Sequence, residues 1–242
     1  MVDVSETAAD EPAPGVRAVL DEMDRQGVFE FHALSVAGAR QYLEELFTAD
    51  ADPRPVGRVR DLSAPGPEGG ELPVRVYEPG PGDGGKEGGE GSRPALVWFH
   101  GGGFVLGSLD SVDPACRALC VETGRVVVSV NYRHAPEHPF PAAPEDCYAG
   151  TRWTVDHADR LGVDPDRVAV GGSSAGGNLA ASVALLARDR GGPHVERQVL
   201  VYPVTNRVRE FESYAENAEG YFLTHADMEW FHGHYLERAG DA

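Results

Sequence analysis

An α/β fold with a mostly parallel sheet is predicted by three features of the sequence. Four short runs are apolar throughout, which is typical of strands buried on both faces. Segments with helical signals separate these runs, so strands and helices alternate along the chain. Two earlier strands alternate apolar and polar residues, which favours an antiparallel pair with one solvated face. At 242 residues the chain is long enough to bury a large core.

Two short helices are predicted before the first strand, after an acidic arm at 1–15, and they are candidates for a lid over another part of the protein. The first has an apolar face at helical spacing, made by Val16, Val19, Leu20 and Met23. Ser35 is expected to cap the second. The apolar face of that second helix is made by Val36, Ala39, Leu43, Leu46 and Phe47.

The strands and helices of the predicted core follow in order. Strands are expected at 56–62, 72–77, 95–99, 126–130, 167–171 and 198–202, with a glycine-rich loop at 79–93. Helices are expected at about 113–124, 144–161 and 175–190, and their stop signals are Gly124, Gly162 and Gly191. The tail, 206–242, is aromatic and helical and contains no further strand.

Composition and charge exclude several classes of function. The formal net charge of −18 disfavours nucleic acid and anionic membrane surfaces as partners. No run approaches the ~18 apolar residues of a membrane span, and the acidic N-terminus lacks the apolar core of a secretory signal. Cys116, Cys120 and Cys147 are an odd set without a CxxC pair, which argues against a disulfide framework. We therefore expect a cytoplasmic protein.

The segment Gly172-Ser173-Ser174-Ala175-Gly176 lies directly between a predicted strand and a predicted helix. A G-x-S-x-G nucleophile elbow requires this context, because the tight turn exposes the serine oxygen above the sheet. Gly172 and Gly176 are needed where a side chain would collide with a neighbouring strand or helix. The helix directs free amides and its positive dipole end at the serine. Ser174 is the candidate nucleophile, and the alternative is a glycine-rich turn with an incidental serine.

A glycine run, His100-Gly101-Gly102-Gly103-Phe104, follows another predicted buried strand. Glycines let backbone N–H groups turn inward, as the oxyanion of acyl transfer requires. With the amide of Ala175 this run predicts an oxyanion hole, whereas alone it is equally well a mobile loop. The segment 131–146 contains four prolines and several ionic side chains, which predicts a stiff loop that braces the top of the sheet.

In this order, HGGGF, NYR-x-APEHPFPAA-x-ED and G-x-S-AGGNLA resemble the hormone-sensitive-lipase-like branch of the α/β hydrolases, which are bacterial esterases and lipases. The resemblance covers roughly residues 58–236. It implies the α/β-hydrolase fold, with helices on both faces of the sheet and a helical cap. It also implies hydrolysis of short- or medium-chain acyl esters through an acyl-serine, without a cofactor or metal.

The resemblance assigns roles to individual residues and segments. Ser174 corresponds to the nucleophile. The oxyanion donors correspond to Gly102, Gly103 and Ala175, and the residues that support the two motifs are His100, Gly101, Gly172 and Gly176. The implied domains are the N-terminal arm and cap helices at 1–55, the incomplete hydrolase core at 56–205 and further cap helices at 206–242.

Three departures from the family pattern stand out. Ser173 occupies a position that is usually acidic, and His134 occupies one that is usually leucine; neither position performs the chemistry. The family places the triad acid roughly a hundred residues after the nucleophile and the histidine some thirty further on. Counted from Ser174, both positions lie beyond residue 242. We therefore expect a C-terminally truncated member that lacks the last strands, with little or no esterase activity.

The four histidines after the serine are not expected to supply the missing base: His194, His225, His232 and His234. The first lies at the far end of a long helix, and the others belong to the tail. His232 and His234, at i and i+2, do not share a helix face, so a metal site is not expected either.

Three functional hypotheses remain open: an esterase acting on a small-molecule acyl ester, a non-catalytic ligand-binding protein with a hydrolase-like fold, and an inactive gene fragment. Strand 198–202 would form an exposed apolar edge, which predicts aggregation or association between copies. An aromatic set in the tail either lines an acyl pocket or holds the cap on the sheet: Tyr221, Phe222, Trp230, Phe231 and Tyr235.

Overall fold

A six-stranded sheet forms the core of the protein in a computed structural model that describes residues 11–27, 30–47, 53–83, 92–206 and 211–236. The strands are β1 (Arg58–Pro65), β2 (Glu71–Glu78), β3 (Arg93–Phe99), β4 (Val126–Val130), β5 (Val163–Ser173) and β6 (Arg197–Val201). Their order is β1-β2-β4-β3-β5-β6. The pairs β1–β2 and β2–β4 are antiparallel, and β4, β3, β5 and β6 run parallel. The predicted fold class and its opening antiparallel pair are confirmed.

The helices are α1 (Pro14–Gln26), α2 (Val36–Phe47), α3 (Asp113–Thr123), α4 (Ala142–Asp156), α5 (Ala158–Leu161), α6 (Ala175–Arg190), α7 (Glu212–Glu216) and α8 (His225–Tyr235), with one 3₁₀ turn at Phe31–Ala33. The predicted cap of α2 is confirmed, since Ser35 Oγ accepts the amide of Gly38 at 3.2 Å. The three predicted glycine stops are also confirmed, because each adopts the left-handed conformation after its helix: Gly124, Gly162 and Gly191.

Several predicted boundaries are wrong. The single helix at 144–161 is two helices, α4 and α5, which are separated at His157. There the ring Nδ1 of His157 lies 2.9 Å from the carbonyl oxygen of Trp153 and binds the end of α4 locally. Strand β1 begins and ends later than the expected 56–62, and β5 extends beyond the expected 167–171 at both ends. The predicted arm at 1–15 and the glycine-rich loop at 79–93 fall largely outside the described residues.

The predicted apolar face of α1 is only partly buried. Leu20 is 9% exposed, whereas Val16 and Val19 are 51% and 58% exposed. The predicted helix is confirmed, and within the described residues these two valines of its apolar face remain open to solvent. In the described part of the chain, no helix is long and apolar enough to cross a membrane.

The parallel strands bring the two glycine-rich motifs together. Strands β3 and β5 are neighbours, and their last paired residues include Phe99 opposite Gly172. Both strands run in the same direction, so the loop after β3 and the turn after β5 leave the same edge of the sheet side by side. Strand β6 closes the described sheet on the far side of β5, and its Val199 and Leu200 are each 40% exposed.

Candidate active site

The turn at Ser174 has a backbone conformation that is unusual for a residue with a side chain. Strand β5 ends at Ser173 and helix α6 begins at Ala175, so Ser174 alone makes the connection. Its φ of 54° and ψ of −118° lie in a region that non-glycine residues seldom adopt. The amide of Ser174 donates to the carbonyl of Val201 at 3.0 Å, and its carbonyl accepts from Val204 at 3.2 Å. The backbone at Val201 and Val204 therefore holds the conformation of Ser174 in place.

Glycines on both sides of Ser174 permit a close approach between backbones. A Cβ on Gly172 would lie 2.6 Å from the carbonyl oxygen of Phe99, and one on Gly176 would lie 2.5 Å from that of His100. Real Cβ atoms do not come this close to backbone oxygens, and backbone atoms cannot rotate away. Helix α6 can therefore begin against the end of β3 only with glycine at these positions.

The loop after β3 also depends on glycine. Gly102 and Gly103 have φ values of 114° and 60°, and Phe104 follows with 66°. The amide of Leu106 donates to the carbonyl of Gly102 at 2.8 Å, and a Cβ on Gly102 would lie 2.6 Å from the carbonyl carbon of Leu106. The loop thus turns back on itself immediately after the strand.

His100 is buried beneath this loop. Its ring stacks on Tyr132 with centroids 4.3 Å apart, and its Nδ1 lies 2.8 Å from the carbonyl oxygen of Gly101. The hydroxyl of Tyr132 donates to the carbonyl of His100 at 2.9 Å. Burial lowers the pKa of His100 to about 4, so the ring is neutral near pH 7. His134 packs edge-on against both rings, and burial lowers its pKa to about 3.

The loop and the turn lie against each other. A Cβ on Gly101 would be 3.5 Å from Cβ of Ser174 and 3.1 Å from the carbonyl oxygen of Ser173. Several backbone N–H groups at this junction donate to no acceptor within the described residues, and those of Gly102, Gly103 and Ala175 are among them. The amide of Ala175 is also at the N-terminus of α6, where the helix dipole favours negative charge.

A cavity of about 740 Å³ opens onto Ser173 and Ser174. Helix and loop residues from both ends of the chain line it, including Phe31, Leu43, Phe47, Phe222, Leu223, Met228 and Phe231. No Asp, Glu, Lys or Arg is among the described residues of its wall. The wall is therefore mostly apolar, and Ser174 and the glycines of the loop after β3 are part of it.

The aromatic residues of the tail divide between the two predicted roles. Phe222 and Phe231 line the cavity. Tyr235 stacks on Phe104 with centroids 3.8 Å apart and so packs α8 against the loop after β3. The N-terminal segment was expected to belong to the cap, but Phe31 itself was not singled out as a residue of the cavity wall. Phe31, which contacts Phe222 and Phe231 at centroid distances of 5.7 Å, lies in no motif, so no local signal marks it.

All nine histidines of the chain lie in the described part. None of them forms a hydrogen bond with Oγ of Ser174 there, and the two that line the cavity are His100 and His232. His194 instead lines a separate hollow at the end of α6, and His234 packs against Trp230. Within the same ranges, no group of three or more His, Cys, Asp or Glu side chains is placed to hold a metal ion.

The chain is similar to known proteins. A protein-family profile for the α/β-hydrolase fold matches residues 96–242, which is more than half of the chain. The chain belongs to the α/β-hydrolase family. This α/β hydrolase is 44% identical over 206 residues to the carboxylic ester hydrolase LipN of Mycobacterium tuberculosis and 41% identical over 226 residues to the esterase LipI of the same organism. The predicted hormone-sensitive-lipase-like family is confirmed.

The α/β hydrolase is shorter than these relatives. The matches cover 83% and 92% of this chain but 52% of the length of LipN and 67% of that of LipI. The matches to solved structures also cover nearly all of this chain but only part of the other protein. A hyperthermophilic esterase from the archaeon Pyrobaculum calidifontis has 41% identity and a TM-score of 0.83, over 95% of this chain and 72% of its own. An ester hydrolase from the Lake Arreo metagenome, complexed with a bipyridine phosphonate derivative, has 38% identity and a TM-score of 0.86, over 96% and 72% of the two chains.

Proposed function

We propose that this chain carries the nucleophile and the oxyanion hole of a serine carboxylic ester hydrolase. Ser174 is the nucleophile, and the amides of Gly102, Gly103 and Ala175 are the oxyanion donors. The observation that carries the proposal is the junction of the two motifs, where the loop after β3, whose amides of Gly102 and Gly103 have no acceptor among the described residues, packs against the turn of a serine held at positive φ. His100, Gly101, Gly172 and Gly176 are supporting residues of these two turns.

The chemistry follows from these positions. Oγ of Ser174 attacks the carbonyl carbon of an ester, and a C–O bond forms as the carbonyl electron pair moves onto oxygen. The amides of Gly102, Gly103 and Ala175 stabilise this oxyanion. When it collapses, the bond to the alcohol oxygen breaks, the proton lost by Ser174 is delivered to that oxygen, and the alcohol leaves an acyl-serine behind. Water then attacks the acyl carbon, the bond to Oγ breaks, and one water proton returns to Oγ, which releases the acid and restores Ser174.

The proton of Ser174 needs an acceptor, and no described histidine is hydrogen-bonded to Oγ. Without a positioned base, catalysis drops by roughly 10⁴ to 10⁶, and the oxyanion hole alone leaves about 10³ over water. We therefore expect slow acylation and very slow turnover from this chain.

The substrate class we propose is an uncharged ester with a short or medium acyl chain. Its carbonyl would lie at Ser174, and its apolar portion would occupy the 740 Å³ cavity, whose described wall lacks charged residues. We also propose that residues 1–55 and 206–242 form the cap over a core at 56–205. The contacts of Phe31 with Phe222 and Phe231 over the cavity support this division.

The test is covalent labelling with an alkyl fluorophosphonate, followed by peptide mass analysis. We expect the label on the peptide that contains Ser174, at a slow rate. Ser174→Ala should lose the label, and Ser173→Ala, which removes the adjacent hydroxyl, should keep it. A folded wild-type sample that stays unlabelled, or a label that survives Ser174→Ala, contradicts the assignment of the nucleophile.

A non-catalytic binding protein is the second candidate function, because the cavity is large and no described histidine bonds to Ser174. Titration with an uncharged alkyl ketone, whose carbonyl mimics that of an ester, separates the two. An acyl-transfer site should bind trifluoromethyl ketones more tightly than methyl ketones through attack by Ser174, and Ser174→Ala should abolish that difference. A binding protein should show no such difference.

We further propose a reducing, cytoplasmic location, because the three cysteines are unpaired and buried. The exposed Val199 and Leu200 on β6 support association between copies through that edge. Light scattering with size-exclusion chromatography tests the association, and Val199→Lys should shift the protein towards the monomer. Cell fractionation tests the location.

A further inference from the structure

Arg40 on α2 forms hydrogen bonds with two loops that are far from that helix in the sequence. Its Nε donates to the carbonyl oxygen of Val105 at 2.9 Å. Val105 comes directly after Gly103 and Phe104, so this bond fixes the end of the loop that carries the proposed oxyanion donors. The amide of Val105 donates to the carbonyl of Gly102 at 3.1 Å, which links the fixed carbonyl to the turn itself.

The same guanidinium also binds the proline-rich loop after β4. Its Nη2 donates to the carbonyl of Ala135 at 2.9 Å, and Nη1 and Nη2 form a two-pronged pair with Glu137 at 2.8 and 2.6 Å. The amide of Ala135 donates in turn to the carbonyl of Phe104 at 3.0 Å. Arg40 therefore closes a ring of hydrogen bonds between the two loops.

The planar shape of arginine matters for this arrangement. Bonds to two backbone carbonyls and one carboxylate need donors that diverge in one plane, which a guanidinium supplies and an ammonium does not. The hydrogen bonds from Arg40 lower the pKa of the Glu137 carboxyl to about 2, so the pair remains ionic at neutral pH. The carbonyl bonds are partly buried, whereas the pair with Glu137 is exposed.

We propose that Arg40 is a positioning residue for the oxyanion loop, which comprises residues 100–106. It holds this loop in its donor conformation through hydrogen bonds to the carbonyls of Val105 and Ala135. The proposal rests on the proposed function for its catalytic consequence and on the loop geometry for its structural one. The side chain of Arg40 contacts no reacting atom in this role, and it acts through the backbone that bears the amides of Gly102 and Gly103.

Amide hydrogen exchange in the full chain tests the structural consequence. Arg40→Met should speed exchange at Val105, Leu106 and Ala135 by about tenfold or more, because each lost bond to a charged donor loosens the loop. Exchange in strand β4 should stay unchanged. Arg40→Lys, which keeps the charge but at most one carbonyl bond, should give an intermediate rate and also covers the case in which Arg40→Met fails to fold.

Two variants serve as matched controls. Arg190 makes the same two-pronged contact with Glu145, at 2.8 and 2.6 Å, but its bonds do not reach the oxyanion loop. Arg190→Met should leave the loop amides unaffected. Glu137→Gln, which spares both carbonyl bonds of Arg40, should change their exchange by less than about threefold. If Glu137→Gln matches Arg40→Met, or if Arg40→Met leaves the three amides protected, the proposal is overturned.

Fluorophosphonate labelling tests the catalytic consequence. Arg40→Met should lower the maximal labelling rate of Ser174 about tenfold, while the half-saturating probe concentration changes less than twofold, and Arg40→Lys should restore part of the rate. An unchanged rate in Arg40→Met overturns the catalytic role. If the wild-type chain is not labelled but the exchange results hold, the proposed function fails while the structural role of Arg40 stands.

Discussion

The ring of Phe231 lies directly against the α-carbon of Gly103, so that a Cβ built on Gly103 would overlap the ring and come within 2.8 Å of Cδ2. Helix α8 therefore packs on the proposed oxyanion loop at a point where only glycine fits. One turn further along α8, Tyr235 stacks on Phe104, the residue after Gly103. The loop is consequently held between the end of strand β3 on one side and α8 on the other.

Gly103→Ala should destabilise the protein more than its backbone conformation alone explains. The φ of 60° costs an alanine about 1–2 kcal/mol, and the overlap with Phe231 adds about 1–3 kcal/mol. Gly162→Ala is the matched control, since Gly162 has a φ of 66° and open space around its α-carbon. Urea unfolding measures both free energies, and equal losses in the two variants would contradict the packing argument.

Gly176→Ala and Gly233→Ala should have opposite effects although both glycines lie in helices. A Cβ on Gly176 would meet the carbonyl oxygens of Phe99 and His100, which belong to the rigid end of β3, so we expect a loss of more than about 3 kcal/mol or no folding. Nothing lies within 4 Å of a Cβ on Gly233, so alanine there should add about 0.5–1 kcal/mol through helix propensity. Thermal unfolding measures both, and a tolerated Gly176→Ala would contradict the close approach.

Replacement of Asp227 should separate α8 from the N-terminal segment. Its carboxylate is fully buried and accepts from the amide of His32 at 2.8 Å and from that of Thr224 at 3.2 Å, and it lies 3.0 Å from Nδ1 of His32. Asp227→Ala leaves these donors without their acceptor and removes the half of the capping box in which Asp227 accepts from the amide of Thr224, so the expected loss is about 2–4 kcal/mol. Asp227→Asn keeps an acceptor of the same shape and should lose less, as measured by urea unfolding. An Asp227→Ala variant as stable as Asp227→Asn would show that the carboxylate contacts contribute little.

Stability should decrease on acidification, in part through His100 and His134. Burial lowers their pKa values to about 4 and about 3 in the folded protein, whereas an unfolded histidine titrates near pH 6.5. Below pH 6.5 the unfolded chain therefore binds more protons at these sites. As the pH decreases below 6.5, the free energy of unfolding therefore decreases by about 1.4 kcal/mol per pH unit for each of these protons, until the pKa of the folded protein is reached.

His134→Leu should remove one of these two contributions. The fall in the free energy of unfolding between pH 6.5 and about 4 should be shallower by the slope of one proton. Urea unfolding at several pH values measures this slope. A slope in His134→Leu equal to that of the wild type would show that His134 is not buried in its neutral form.

The parts of the fold that the sequence predicts well are those with strong local signals. The continuous apolar run at 95–99 and the glycine after α3, Gly124, leave few alternatives, and both appear in the structure as expected. The break at His157 was not predicted, because neither a glycine nor a proline marks it in the sequence. The exposure of Val16 and Val19 was also not predicted, because periodicity gives a face but not the surface that covers it.

The candidate site also has features that the sequence predicts and features that it does not. Both glycine motifs could be found from the sequence because close backbone approach restricts the residue type, as at Gly176. The place of Phe31 in the cavity wall could not, since Phe31 and Phe231 come from opposite ends of the chain and only the tertiary fold brings their rings to 5.7 Å. The contacts of Arg40 with Val105 and Ala135 could not be predicted from the sequence either, because a hydrogen bond to a backbone carbonyl does not require a particular residue type at the acceptor.

The three native cysteines have a practical consequence for experiments on this protein. Burial raises the thiol pKa of Cys116 and Cys120 to about 12 and that of Cys147 well above its ordinary value, so the nucleophilic thiolate is scarce and shielded at all three. Two cysteines introduced at exposed positions, one on α8 and one on α2, should therefore be the only thiols that react quickly with a maleimide. A pair of spin labels or fluorophores at these two sites can then report the distance between α8 and α2 in solution without prior removal of any native cysteine.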